Sequence, residues 1–68
     1  MAEQLGNRLR EAREAKGLTQ AQLAEAVAVS RKTVNTVENG VFIPSTLIAL
    51  KLSRALGQSV ESLFFLVK

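Results

Sequence analysis

The sequence contains no cysteine and no histidine, and every one of its acids is a glutamate. Without cysteine or histidine there is no disulfide framework and no ordinary zinc ligand set, so nothing of that kind staples the chain. The side chain that most often serves as general base is missing with histidine, and the thiolate nucleophile with cysteine. No glycine-rich loop suited to cradling phosphate is present, and the six glutamates are scattered along amphipathic stretches rather than paired in a cleft. These absences argue against an enzyme and lead to the expectation of no cofactor and no metal. Long apolar runs are lacking as well. The first seventeen residues are charged throughout and unlike a signal peptide, and Leu63 to Val67 is far too short to cross a bilayer. The expectation is a soluble protein with no membrane partner, and a cysteine-free composition fits a reducing cytoplasm.

What is present is small and basic. Sixty-eight residues suffice for one domain, 1–68, and leave no room for a second. A domain this size buries only about 60% of the surface its unfolded chain exposes, so the core is idealised or a partner subunit helps to cover it. Nine Lys and Arg against six Glu give a net charge of +3, which favours phosphate-rich partners. The distribution says more than the sum. Between Gly17 and Glu38 the only basic residues are Arg31 and Lys32, and they open a predicted helix. Positive charge placed there adds to the exposed backbone N–H groups of a helix N-terminus.

Local punctuation divides the chain into five helices, near residues 4–16, 20–27, 31–39, 46–56 and 60–65. Gly17, Gly40 and Gly57 read as helix stops, and Thr19, Ser30, Ser45 and Ser59 as N-caps. Thr19 with Gln22 fits a capping box. Leu5, Leu9 and Ala12 make an apolar stripe, followed by Leu23, Ala24 and Val27, then Val34 and Val37, then Leu47, Leu50, Leu52, Ala55 and Leu56. Intervals of three and four belong to helices, and no segment alternates as a strand would, so the expected fold class is all-α. Pro44, in the loop VFIPS, prevents the third helix from continuing.

The stretch from Thr19 to Gly40, TQAQLAEAVAVSRKTVNTVENG, carries the functional signal. Two short helices separated only by Ala28, Val29 and Ser30 cannot lie antiparallel, and a turn that short forces a steep crossing, the arrangement of a helix-turn-helix. Ala24 is small where the two helices approach, while Leu23, Val27, Val29, Val34 and Val37 are placed to anchor the pair. The third helix then exposes Arg31, Lys32, Thr33, Asn35 and Thr36. Their donors, acceptors and methyl groups suit base edges: Arg or Lys for guanine, Asn for adenine, a Thr methyl for thymine.

From Leu9 to Gly57 the chain resembles the lambda-repressor-like, or Cro/C1 (xenobiotic-response-element) type, family of helix-turn-helix proteins, through TQ-x-x-LA, VS, V-x-x-VENG and PS in fixed register. The resemblance implies a compact five-helix domain with the helix-turn-helix at helices two and three. It implies that Gln20 bonds a DNA phosphate, that Arg31, Lys32 and Thr36 face bases, and that Thr33 and Asn39 lie near phosphates. Ser30, read above as the cap of the reading helix, is counted among the DNA-binding residues with Asn35. The resemblance further implies an ion pair of Arg13 with Glu38 that fixes the reading helix on its scaffold. One departure is Ala28, where the family usually has a glycine; an alanine in a left-handed conformation costs roughly 1–2 kcal/mol.

The C-terminal SLFFLVK raises a separate question. Leu63 and Phe64 are expected to complete the core, but Phe65, Leu66 and Val67 exceed what so small a domain can bury. Contiguous exposed apolar residues mark interfaces, so Phe65, Leu66 and Val67, within the C-terminal apolar tail 63–68, are read as a homodimer surface. The reading is therefore a transcriptional repressor that binds double-stranded DNA as a homodimer on an inverted repeat. The alternatives are a protein-interaction module, such as an autoregulating antitoxin, and the DNA-binding headpiece of a larger ligand-sensing regulator.

Overall fold

The computed structural model describes residues 3–67. Its elements run β1 (Gln4–Asn7), α1 (Leu9–Ala15), α2 (Gln20–Val27), α3 (Arg31–Glu38), α4 (Thr46–Leu56), α5 (Val60–Leu63) and β2 (Phe64–Val67). The helix boundaries follow local chemistry. Thr19 Oγ1 accepts from Gln22 N at 3.0 Å while Gln22 Oε1 accepts from Thr19 N at 2.8 Å, a complete capping box. Ser30, Ser45 and Ser59 accept from the backbone N–H three residues on, each satisfying a donor that its helix cannot. Gly57, at φ +67°, ends α4 in the left-handed region.

The fold is mostly helical but not all-α. Residues 4–7 do not extend the first helix; they form a strand paired antiparallel to β2, in the register Gln4 with Val67, Leu5 with Leu66, Gly6 with Phe65 and Asn7 with Phe64. Gly6 and Asn7 are poor helix formers, while Phe64 to Val67 combines aromatic and β-branched residues that favour a pleated surface. For the same reason α5 stops at Leu63 rather than continuing to 65. A Cβ on Gly6 would run into the Phe65 ring and lie 2.8 Å from Val67 Cγ2, so glycine is what lets that ring cross the ribbon. Arg8 covers the ring, its Cζ 4.4 Å from the centroid.

The core sits where the helices converge. Leu9, Leu23, Val34, Val37, Leu52, Leu56 and Leu63 are fully buried, with Ala12, Ala24, Val27 and Phe64 around them. The stripe expected on α4 is only half right: Leu52 and Leu56 are buried, but Leu47 and Leu50 are 62% and 56% exposed and point away from the core. Two links lock the ribbon to the bundle. Arg8 N donates to Leu63 O at 2.8 Å. Asn7 Oδ1 accepts from Leu9 N at 3.0 Å, and Asn7 Nδ2 donates to Val37 O at 3.0 Å, capping α1 and tethering the end of α3. Among the described residues, no helix is long and apolar enough to cross a membrane.

Candidate nucleic-acid interface

Helices α2 and α3 are joined by a tight turn in which Ala28 adopts φ +58° and ψ +45°. The left-handed conformation is therefore accepted by an alanine, and Val29 N closes the turn onto Ala24 O at 3.0 Å. Both helices are short, and their small or β-branched buried positions (Ala24, Val27, Val34, Val37) bring them close together.

On α3, burial separates two faces. Val34 and Val37 face the core; Arg31, Lys32 and Asn39 are exposed; Thr33, Asn35 and Thr36 are half-buried. Arg31 and Lys32 occupy the first turn, beyond the Ser30 cap, where the first backbone N–H groups have no intrahelical partner. Cationic side chains and oriented amides thus share one end of the helix. Thr36 turns its hydroxyl back onto Lys32 O at 2.9 Å and Thr33 O at 3.1 Å, which commits that group to the helix backbone.

The rear of α3 is held by an ion pair. Arg13 Nε donates to Glu38 Oε2 at 2.6 Å, Arg13 Nη2 to Oε1 at 3.3 Å, and Arg13 Nη1 to Leu18 O at 2.8 Å. The Glu38 side chain is 0% exposed and that of Arg13 only 11%. Burial pushes the Glu38 carboxyl up, but hydrogen bonds from Arg13, Gln20 and Arg10 outweigh it and hold the group below the usual glutamate range. The Arg13 guanidinium is raised in turn, chiefly by its hydrogen bond to Glu38.

Other polar side chains gather on this carboxylate. Gln20 Nε2 donates to Glu38 Oε1 and to Asn35 Oδ1, both at 3.1 Å. Gln20 Oε1 accepts from Arg31 Nη1 at 3.2 Å. Asn39 Nδ2 donates to Asn35 O at 2.9 Å and Asn35 Oδ1 at 3.2 Å, and Asn39 Oδ1 accepts from Arg10 Nη2 at 3.2 Å. Gln20, Arg31, Asn35 and Asn39 therefore form one connected surface rooted in Arg13 and Glu38. Arg10 joins it through Asn39, and Asn7 holds the α3 backbone at Val37 O; neither carries a local signal in the sequence, because both partners lie far along the chain.

Beside this surface, the segment after α3 folds back. Val41 N and Phe42 N donate to Thr36 O at 2.9 and 3.2 Å. Ser30, Lys32, Thr33, Thr36, Val41 and Phe42 then line an open cleft of about 290 Å³. The segment does more than break the helix at Pro44: Val41 and Phe42 wall the side of α3.

The residues assigned to the dimer tail divide. Successive side chains of a strand point to opposite faces. Leu66 shares the face of Leu5 and Phe64, whereas Phe65 and Val67 lie with Gly6 on the other. Phe65 is half-buried under Arg8, so it is not an apolar group free for a partner. Leu66 is 68% exposed, and Lys68, the last residue of the tail, lies outside the described residues. On Leu66's face, Leu5, Ile43, Pro44, Leu50, Val60 and Phe64 line an uncharged groove of about 420 Å³.

Comparison with known proteins adds the family. The helix-turn-helix family profile matches residues 9–63. The chain is 40% identical over 60 residues to the uncharacterized HTH-type transcriptional regulator YgzD of Bacillus subtilis, covering 88% of this chain and 91% of that one. It is 44% identical over 59 residues to an uncharacterized HTH-type transcriptional regulator of Methanothermobacter thermautotrophicus, covering 85% and 86%. Its structure resembles that of the restriction-modification controller protein C.AhdI of Aeromonas hydrophila, with a TM-score of 0.76 at 42% identity, over 81% of this chain and 83% of that one.

Proposed function

Because the chain belongs to the Cro/C1-type helix-turn-helix family of DNA-binding transcriptional regulators, we propose that it reads duplex DNA by laying α3 in the major groove while α2 crosses the phosphate backbone. The observation that carries this reading is the exposed pair Arg31 and Lys32 at the opening of a helix whose rear is fixed by Val34, Val37 and the buried Glu38. A reading helix must present long cationic donors from a rigid base, and α3 has both. Arg31 and Lys32 address guanine edges, and the methyl of Thr36 suits a thymine methyl. Gln20, Ser30, Thr33 and Asn39 flank them on the side of the phosphates, which fix register rather than sequence. Asn35 is committed to Gln20 and Asn39, so its part is support of those two side chains more than contact with adenine.

The protein acts in this account as a homodimer on an inverted repeat. The support is the uncharged groove of Leu5, Ile43, Leu50 and Phe64 with Leu66, Ile43 and Leu50 exposed along it, the charge-poor composition that interface cores favour. Reading an inverted repeat requires the two reading helices to stand about 34 Å apart, one helical turn of DNA. Repression follows from occupancy, since a dimer seated across a promoter excludes other proteins from the same groove. Selection from a random duplex library at two salt concentrations tests the reading. Enrichment of an inverted repeat is the expected result. Unselective binding that disappears at moderate salt would leave only phosphate attraction and overturn it.

A further inference from the structure

Glu38 is placed to do more than anchor a helix. Its Oε1 accepts the Gln20 amide at 3.1 Å, on the side of Gln20 where Asn35 Oδ1 also accepts. Asn35 Oδ1 is itself fixed as an acceptor by the amide of Asn39. Two acceptors on one side and the Arg31 guanidinium on the other permit a single orientation of the Gln20 amide, with nitrogen toward Glu38 and oxygen toward Arg31. A bond from an amide to a buried carboxylate is charge-assisted, so this orientation is held more firmly than an exposed pair could hold itself. The exposed Arg31 bond at 3.2 Å would count for little alone; here its acceptor is already locked before DNA arrives.

We propose, resting on the DNA-reading assignment above, that Glu38 is a positioning residue for base recognition, setting the Gln20 amide so that Gln20 holds the Arg31 guanidinium ready for its base. The physical gain is pre-organisation. Ordering one rotamer-rich side chain on binding costs roughly two- to tenfold in Kd. That cost falls on the DNA sequence that engages Arg31 and not on sequences that leave it unbound. Pre-ordering Arg31 therefore raises discrimination at one base position, not general affinity.

The test is base preference, measured with Glu38→Gln and Gln20→Met on duplexes that vary the base read by Arg31. A glutamine at position 38 keeps its oxygen on Arg13 and turns its NH₂ toward Gln20. The Gln20 amide must then invert and present its own NH₂ to Arg31, donor against donor. Gln20→Met leaves the Arg13–Glu38 pair intact, which controls for loss of stability in the first variant; it removes the link together with the phosphate contact of Gln20, whose loss weakens all duplexes alike and leaves base preference to report the link. Both variants are expected to lose about two- to tenfold of preference at the Arg31 position and at no other. In an Arg31→Ala background, Gln20→Met is expected to change preference no further. If both variants weaken all duplexes alike while Arg31→Ala still relaxes one position, the proposal is overturned and the DNA reading stands. If Arg31→Ala itself leaves preference unchanged, both fall, because no Arg31 contact exists to be positioned.

Discussion

At the scale of single residues, Glu38 concentrates most of the consequence. Its folded-state carboxyl is held below the usual range despite burial, so ionised Glu38 stabilises the native state. The sign follows directly: this contribution is complete above the ordinary glutamate pKa and is lost as the pH falls through the depressed folded value. Stability should therefore decline on acidification below about pH 4.3, and Glu38→Gln should flatten that decline; thermal melts from pH 7 down to 3 check it. Arg13→Ala should cost about 3–5 kcal/mol at neutral pH, because it strips the main partner from a buried charge. Ala28 offers the opposite case. Its φ of +58° is strained for alanine, and Ala28→Gly should raise stability by about 1 kcal/mol, relief of strain exceeding the added flexibility of the unfolded chain. Denaturant titration measures it. The caps and the exposed cations of α3 were legible at this scale because each depends on neighbours within four positions. Asn7 and Arg10 were not, since nothing near them in sequence announces a partner on α3.

At the scale of elements, the helices could be read locally and the ribbon could not. A capping hydroxyl, a period of three to four and a closing glycine are all local signals, and α2, α3 and α4 fall where those signals put them. β1 pairs with a strand at the far end of the chain, and four residues are too few for alternation to show. Leu47 and Leu50 misled for a related reason: α4 carries apolar residues on two faces, and spacing alone does not say which one is inside. The ribbon has its own consequence. Gly6→Val should separate Phe65 from its place across the strand and release Arg8. Amide exchange should then rise at residues 4–7 and 64–67 while the amides of α2 and α3 remain protected, which hydrogen-exchange measurements would resolve.

At the scale of the whole molecule, the proposed function assigns its work to two surfaces. One is the cationic end of α3 with its network rooted in Glu38 and Arg13; the other is the uncharged face of Leu5, Ile43, Leu50 and Leu66. On the dimer reading, Leu50→Glu should convert the protein to a monomer in sedimentation without unfolding it, because Leu50 is already 56% exposed. Affinity for an inverted repeat should fall steeply while affinity for a half-site stays unchanged. A strict monomer for the unaltered chain, at high concentration and on DNA, would assign that face to a different protein partner. The helix-turn-helix was visible in sequence as a spacing, whereas the division of the C-terminal residues between two faces of a ribbon emerged only from the strand pairing.

The claim on which the account turns is that the opening of α3 reads bases. Its most direct measurement is the affinity of Arg31→Ala for the selected duplex and for every single-base variant of it, beside the unaltered protein. The expected result is a loss of about 1–3 kcal/mol on the preferred sequence, with discrimination relaxed at one position of each half-site and retained elsewhere. A uniform loss across all variants, with the original preference intact, would make Arg31 a phosphate contact and contradict the claim.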